Sequence, residues 1–260
     1  ALAYGLHNSA GDEPVRAMVY DLGGGTFDVT VLELKGRRVE VLATAGEHRL
    51  GGKDWDDELL NFVAEEFQVE FDLDPRDDPG AMQDLRNRCE AAKVVLSKKN
   101  KVTIFCRAYG KTLKLPLPRG LFEELTRPLL LQTQTYLEQV LQFAGVGWDA
   151  IDVVLPVGGS SHMPQVRRLL KEQSGREPET SLDPDLAVVQ GAAYYAALAR
   201  AEQGFSVKVF ATRQPTGRLA KRGRSESDEL PMLPPAPPPT MDEAPELLGL
   251  PGEVAAPHAV

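Results

Sequence analysis

The chain has 260 residues, 42% hydrophobic and 26% charged, with a formal net charge of -9. This is the make-up of a globular protein long enough for one large domain or two lobes. The acidic balance argues against nucleic acid as the main partner, because a phosphate backbone needs clustered Lys and Arg; a nucleotide remains possible, since backbone amides can hold one.

In chain order, "ALAYGL" reads as the end of a helix, with no basic-then-apolar signal before it. From Ala17 to Ala45, "AMVYDL", "FDVTVLEL" and "VEVLATA" are β-branched runs separated by "GGGT" and "KGRR", which predicts a three-strand meander. From Trp55 the period turns helical, with Trp55, Leu59, Phe62, Val63 and Phe67 on one face. A second helix is expected over about Ala81 to Ser97, burying Leu85, Cys89, Ala92 and Leu96. "KVTIFC" and "KTLKLPL" alternate as an antiparallel pair around "AYG". Pro128 breaks the long helical stretch that follows and restarts it, and Gly145 ends it. "IDVVLPVGG" reads as a buried strand, Pro164 to Gln173 as a helix, and "AVVQGAAYYAALARAE" as the last helix, with Asp183 as its cap.

Past Gly204 the composition changes. Gln214 to Val260 holds ten of the 20 prolines, and its basic cluster "RLAKRGR" precedes an acidic run. Such a segment buries too little apolar surface to offset its chain entropy and reads as disordered. Cys89 and Cys106 lack metal-ligand spacing and the four histidines are scattered, so no zinc site is expected. The low cysteine count points to the cytoplasm, and no apolar run reaches membrane-spanning length.

The candidate chemistry begins at "DLGGGTFD". Glycines between two strands leave successive N–H groups unshielded by Cβ atoms, a shape that can wrap a phosphate; the alternative is a hairpin turn. Asp21 at the strand end can hold hydrated Mg²⁺, and Thr26 can donate to a phosphate oxygen or an attacking water. "VGGSS" again follows a strand and precedes a helix, and "LGGKDWD" opens the helix at Trp55. Glu90, Lys93 and Ser97 fall on one helix face; taken singly, that stripe reads equally as a solvated ion pair contributing a few tenths of a kcal/mol.

In their order, "ALAYGL", "DLGGGTFDVTVLEL", "VLATAGEHRLGGKDWD", "CEAAKVVLS", "FEELTRPLL", "VVLPVGGSSHMP" and "DPDLAVVQGAA" resemble the seventy-kilodalton heat-shock (DnaK-type) chaperones of the actin-like ATPase superfamily, over Ala1 to about Arg200. The resemblance implies an α/β, actin-like (ribonuclease H-like) ATPase lobe with an inserted α+β subdomain. Residues 1–50 and 119–204 would form its larger part and 51–118 the insertion, with 205–260 a degenerate linker and tail. It implies ATP or ADP with Mg²⁺, and K⁺ as a monovalent cation. Asp21 would support the metal and its water, with Asp28 near the monovalent ion. Gly23, Gly24, Gly25 and Thr26 would surround the phosphates, with Gly51 and Gly52 at the third glycine pair. Glu90, Lys93 and Ser97 would contact the nucleoside. Gly158, Gly159 and Ser160 would form the second nucleotide loop, and Asp185 lies in the segment closing the site.

Three positions depart from that pattern. His162 stands where the family usually has Arg, so weaker nucleotide binding is expected. Pro156 interrupts a strand that would lose a ladder donor if central. Trp55 replaces a usual Phe. The family's first lobe, which would precede "ALAYGL", and its substrate-binding domain are not recognisable in this sequence, which therefore looks like a truncated family member or a remnant of one. For this stretch alone the resemblance therefore implies impaired hydrolysis and no client binding. The remaining readings are a module binding a nucleotide-exchange-factor-like or co-chaperone protein through 51–118, and another actin-like relative such as a sugar kinase or filament protein.

Overall fold

The computed structural model describes residues 13–35, 38–181, 183–200 and 206–209. The expected helix end at Ala1–Leu6 and the Pro-rich segment from Gln214 lie outside the described residues. The chain opens with β1 (Val15–Leu22), β2 (Phe27–Lys35) and β3 (Arg38–Glu47). Helices α1 (Gly52–Phe71) and α2 (Pro79–Lys98) follow, then the hairpin β4 (Lys101–Ala108) and β5 (Lys111–Pro118). Next come α3 (Arg119–Leu125), α4 (Arg127–Ala144), β6 (Val153–Val157), α5 (Pro164–Ser174), α6 (Ala187–Arg200) and β7 (Ser206–Val209).

The first three strands form the expected antiparallel meander, inside a five-stranded sheet of order β6-β1-β2-β3-β7. Period-two alternation sorts the side chains. Met18, Tyr20, Leu22, Phe27, Val29 and Val31 join the main core, while Ala17, Leu32, Leu34, Val39 and Leu155 form a smaller cluster. The Tyr20 hydroxyl donates to Thr133 Oγ1 at 2.9 Å, which ties α4 to the sheet through a buried bond. The main core continues through α1 and α2 into the separate β4–β5 pair.

Local chemistry sets the boundaries. Asp78 accepts from the N–H groups of Gly80 at 2.9 Å and Ala81 at 3.1 Å, and Pro79 occupies the first helical position, so α2 starts two residues before the expected Ala81. Leu85, Cys89, Ala92 and Leu96 are all buried, as their spacing requires. The helix break falls at Thr126, just before Pro128, and Gly145 closes α4 in the left-handed region at φ 67°. Asp183 accepts from the Asp185 N–H through its side chain, and its carbonyl accepts from Leu186 and Ala187 at the start of α6.

Two expectations are corrected. The strand carrying Pro156 is not central: β6 pairs only with β1 and is an edge strand among the described residues. The Val154 carbonyl, on the outer side of β6, accepts from Glu179 N at 2.8 Å. Two residues on, the Pro156 nitrogen faces the same way, so the proline costs the sheet no ladder bond. The second correction is β7: Ser206–Val209 pairs in parallel with β3, beyond Gly204, where composition marked the start of a linker.

Trp55 is fully buried, and its Nε1 has no hydrogen-bond partner among the described residues. An unpaired buried N–H costs about 1–3 kcal/mol, which offsets much of what the larger ring gains by burial. Trp55→Phe is therefore expected to stay within about 1 kcal/mol of the parent in chemical denaturation, whereas Trp55→Ala loses about 3–5 kcal/mol.

Candidate functional site

The β1–β2 turn is built so that its carbonyls face the protein. Gly23 N donates to Thr26 O at 3.1 Å, closing the turn. Gly23 O accepts from Gly52 N at 2.9 Å and from Ser160 Oγ at 3.0 Å, and Gly24 O accepts from Lys53 N at 2.8 Å. The N–H groups of Gly24 and Gly25 have no acceptor among the described residues. Neither glycine has a positive φ, and a Cβ added to either would meet nothing within 4 Å. Backbone conformation and packing leave both positions free to carry a side chain; what glycine provides here is open space beside bare amides.

The other two glycine pairs are shaped by close approach. A Cβ on Gly51 would lie 2.4 Å from Gly25 N and 2.5 Å from Gly25 Cα, so the start of α1 rests on the turn backbone to backbone. Gly158 sits at φ 82°, where a Cβ would lie 2.5 Å from Leu22 O and 2.9 Å from Asp21 Oδ1. Gly159 to His162 then form a short 3-10 turn leading into α5. Gly158 N donates to Pro184 O at 3.1 Å, which brings in the segment holding Asp185. His162 Nε2 is 3.4 Å from Asp185 Oδ2.

These pieces border one cleft of about 960 Å³. Glu90, Lys93 and Ser97 line it from α2, Gly24 from the turn, and Gly159, Ser160, His162 and Asp185 from the far side. Sequence reasoning missed Val94 and Lys98 on α2 and Arg167 on α5, which line the same cleft. For Val94 the signal was available in helical spacing, one turn beyond Glu90. Gly23, Gly25, Gly51, Gly52 and Gly158 support the cleft without lining it. Thr26 is exposed and also does not line it. Lys93 is buried, and its Nζ donates to Asp56 Oδ2 at 2.7 Å and Gly52 O at 2.8 Å; two of its three donors are thus taken within the protein.

Asp21 and Asp28 face each other across the β1–β2 ladder, both half-buried. Burial first, and the Asp28 charge second, push the Asp21 carboxyl above the usual carboxylate range. Two oxygen-donor side chains in that state suit a hard cation such as Mg²⁺. The open space beside the amides of Gly24 and Gly25 likewise fits a phosphate. Among the described residues no helix is long and apolar enough to cross a membrane.

Comparison with known proteins gives a consistent result. The family model described as Hsp70 protein matches residues 1–212. The Chaperone protein DnaK of Thermotoga petrophila is 42% identical over 211 residues, covering 78% of this chain and 35% of that protein. The Chaperone protein DnaK of Thermosipho melanesiensis is 40% identical over 210 residues, covering 78% and 35%. The Chaperone protein DnaK of Deinococcus proteolyticus is 42% identical over 206 residues, covering 76% and 32%. The chain thus spans about 35% of the length of the first of these relatives. The chain belongs to the Hsp70 protein family, and its mixed α/β fold is the actin-like fold of that family's ATPase region.

Proposed function

We propose that these residues form one lobe of the nucleotide site of an ATP-dependent protein-folding chaperone, binding ATP or ADP with Mg²⁺ in the cytoplasm. The observation that supports it most is the cleft itself. A turn with bare amides, a second glycine loop and a polar helix stripe, far apart in sequence, border one cavity. Residues 51–118 serve as the smaller subdomain in this reading. Gly23–Thr26 and Gly158–Ser160 would hold the phosphates, and Glu90, Lys93, Ser97 and His162 the nucleoside. Asp21 and Asp28 would hold Mg²⁺ and K⁺, and bound Mg²⁺ would neutralise charge on the phosphate oxygens. The residues of the chain would orient the nucleotide: the turn amides would donate to its phosphates, and Asp185, 3.4 Å from His162 Nε2, would hold the imidazole at the cleft wall.

Titration of the chain with ADP and Mg²⁺ tests this reading, with weak but saturable binding expected. A Cβ at Gly159 would already lie 3.0 Å from Asp185 Oδ1, and the branches of Val would enter the cleft. Gly159→Val is therefore expected to abolish binding, and unchanged affinity in that variant would sink the assignment. For the polypeptide of these 260 residues alone, ATP turnover is expected near background. Phosphoryl transfer depends on positioning and electrostatics from several sides, and these loops and α2 are one set of such contacts. Appreciable turnover lost on Asp21→Asn would show that they suffice.

A second reading has one observation in its favour. The outer face of the β4–β5 hairpin carries Lys101, Phe105, Arg107 and Lys114, all exposed, and none of its three cations is ion-paired among the described residues. That face suits an acidic protein partner, in keeping with a nucleotide-exchange-factor-like or co-chaperone role.

A further inference from the structure

Asp56 drew no notice in the sequence, yet it stands at one end of a continuous line of bonds into the candidate site. It lies in the first turns of α1 and is 7% exposed. Its Oδ2 accepts from Lys93 Nζ at 2.7 Å, and the same ammonium donates to Gly52 O at 2.8 Å. The Gly52 N–H in turn donates to Gly23 O at 2.9 Å, and the next amide, Lys53 N–H, donates to Gly24 O at 2.8 Å. The line therefore runs from a buried carboxylate on α1, through α2, and back through the start of α1 to the turn between β1 and β2.

The surroundings leave this line little freedom. A Cβ on Gly52 would lie 2.3 Å from Ser160 Oγ and 3.0 Å from Lys93 Nζ, so the space around the junction is filled. Asp56 Oδ1 has no hydrogen-bond partner among the described residues, so Lys93 is the charge that holds this carboxylate in the interior. Burial pushes the Asp56 carboxyl up, and the Lys93 hydrogen bond offsets only part of that rise. A buried pair of this kind adds little net stability over well-packed apolar residues. Its location points to a reason other than stability.

We propose that Asp56 is a positioning residue for the nucleotide site. It fixes the Lys93 ammonium over Gly52 O, and so sets where the turn at Gly23 and Gly24 presents its amides. It also aims the one remaining Lys93 donor toward the cleft that Lys93 lines. This inference rests on the nucleotide-binding reading above. The bonds that carry it are present without any ligand, so they can be tested apart from it.

The test compares the chain with Asp56→Asn and with Asp56→Asn/Lys93→Met, by amide hydrogen exchange, thermal unfolding and titration with ADP and Mg²⁺. In Asp56→Asn, exchange at Gly52 and Lys53 is expected to quicken while Val29 and Val31 in β2 stay protected. ADP affinity is expected to fall about tenfold, the scale on which lost supporting contacts act. The double variant removes both charges, so it is expected to regain the thermal midpoint; because Lys93 itself lines the cleft, its affinity stays low and the exchange at Gly52 and Lys53, expected to stay fast, is the readout that a merely structural role would not move. Unchanged exchange at Gly52 and Lys53, or affinity regained together with the midpoint, overturns the proposal. If Asp56→Asn does not fold, the double variant decides by the same exchange measurement. If the unaltered chain binds no ADP, the functional reading falls, and exchange at Gly52 and Lys53 alone decides whether Asp56 positions the turn.

Discussion

Asp21→Asn is expected to raise the thermal midpoint of the ligand-free chain while removing the Mg²⁺-dependent part of its nucleotide affinity. Burial and the facing Asp28 raise the folded pKa of Asp21 above its unfolded value. An acid in that position binds more protons when folded than when unfolded. Its contribution to stability is therefore greatest at low pH and falls as pH rises through the window between the unfolded and folded values. Above that window the whole cost is present, and Asn removes the charge while keeping the shape. Asp21 is only half-buried, so solvent screens much of this cost and the gain in midpoint is modest. The loss in binding is the larger effect, because a neutral amide is a far poorer partner for Mg²⁺ than a carboxylate. Melting curves with and without Mg²⁺ and ADP check both halves. A lower midpoint in the free variant would make the carboxylate a stabilising group. A persisting Mg²⁺ dependence would put the cation elsewhere.

The elements that were legible in the sequence are those whose signals are local. Period-two runs from Ala17 to Ala45 gave the meander, and Leu85, Cys89, Ala92 and Leu96 gave the buried face of α2. Pro128 and Gly145 mark boundaries because ring geometry and capping act within a few residues. The consequence of Pro156 stayed open in the sequence because strand order is a long-range property. Nothing near Val153–Val157 says that this strand lies at an edge, and only its pairing with β1 shows it. Asp56 was missed for a similar reason. Its partner is 37 positions away, and an Asp among Asp54 and Asp57 at a helix start looks like a dipole-favoured surface acid. The glycines were legible as a group but not by role: the sequence shows seven of them in three clusters and cannot say which face open space and which face backbone.

That division of roles gives the second strong expectation. Gly24→Ala and Gly51→Ala add the same methyl group to neighbouring pieces of backbone and should behave in opposite ways. At Gly24 the new Cβ meets nothing within 4 Å, and the backbone there needs no positive φ. The folded state should accept it, and the narrower unfolded ensemble can add about 0.4–1 kcal/mol of stability. At Gly51 the Cβ would lie 2.4, 2.5 and 2.6 Å from the N, Cα and C of Gly25. Gly51 is extended at φ -170°, so its own conformation is no obstacle. The conflict is purely steric, and because all three atoms are backbone, no side chain can swing away to relieve it. α1 must shift off the turn, at a cost of about 3 kcal/mol or more. ADP affinity should drop in both variants but for different reasons. In Gly24→Ala the methyl occupies space beside the cleft that a phosphate would use, on a fully folded chain. In Gly51→Ala the turn itself moves, and the loss of affinity accompanies the loss of stability. Denaturation and ADP titration on the two variants separate these cases. If Gly24→Ala melts early, the glycine is there for the fold. If it is stable and binds ADP as tightly as the parent, the bare amides of the turn are not a ligand surface, and the phosphate must be held by Gly158–Ser160 alone.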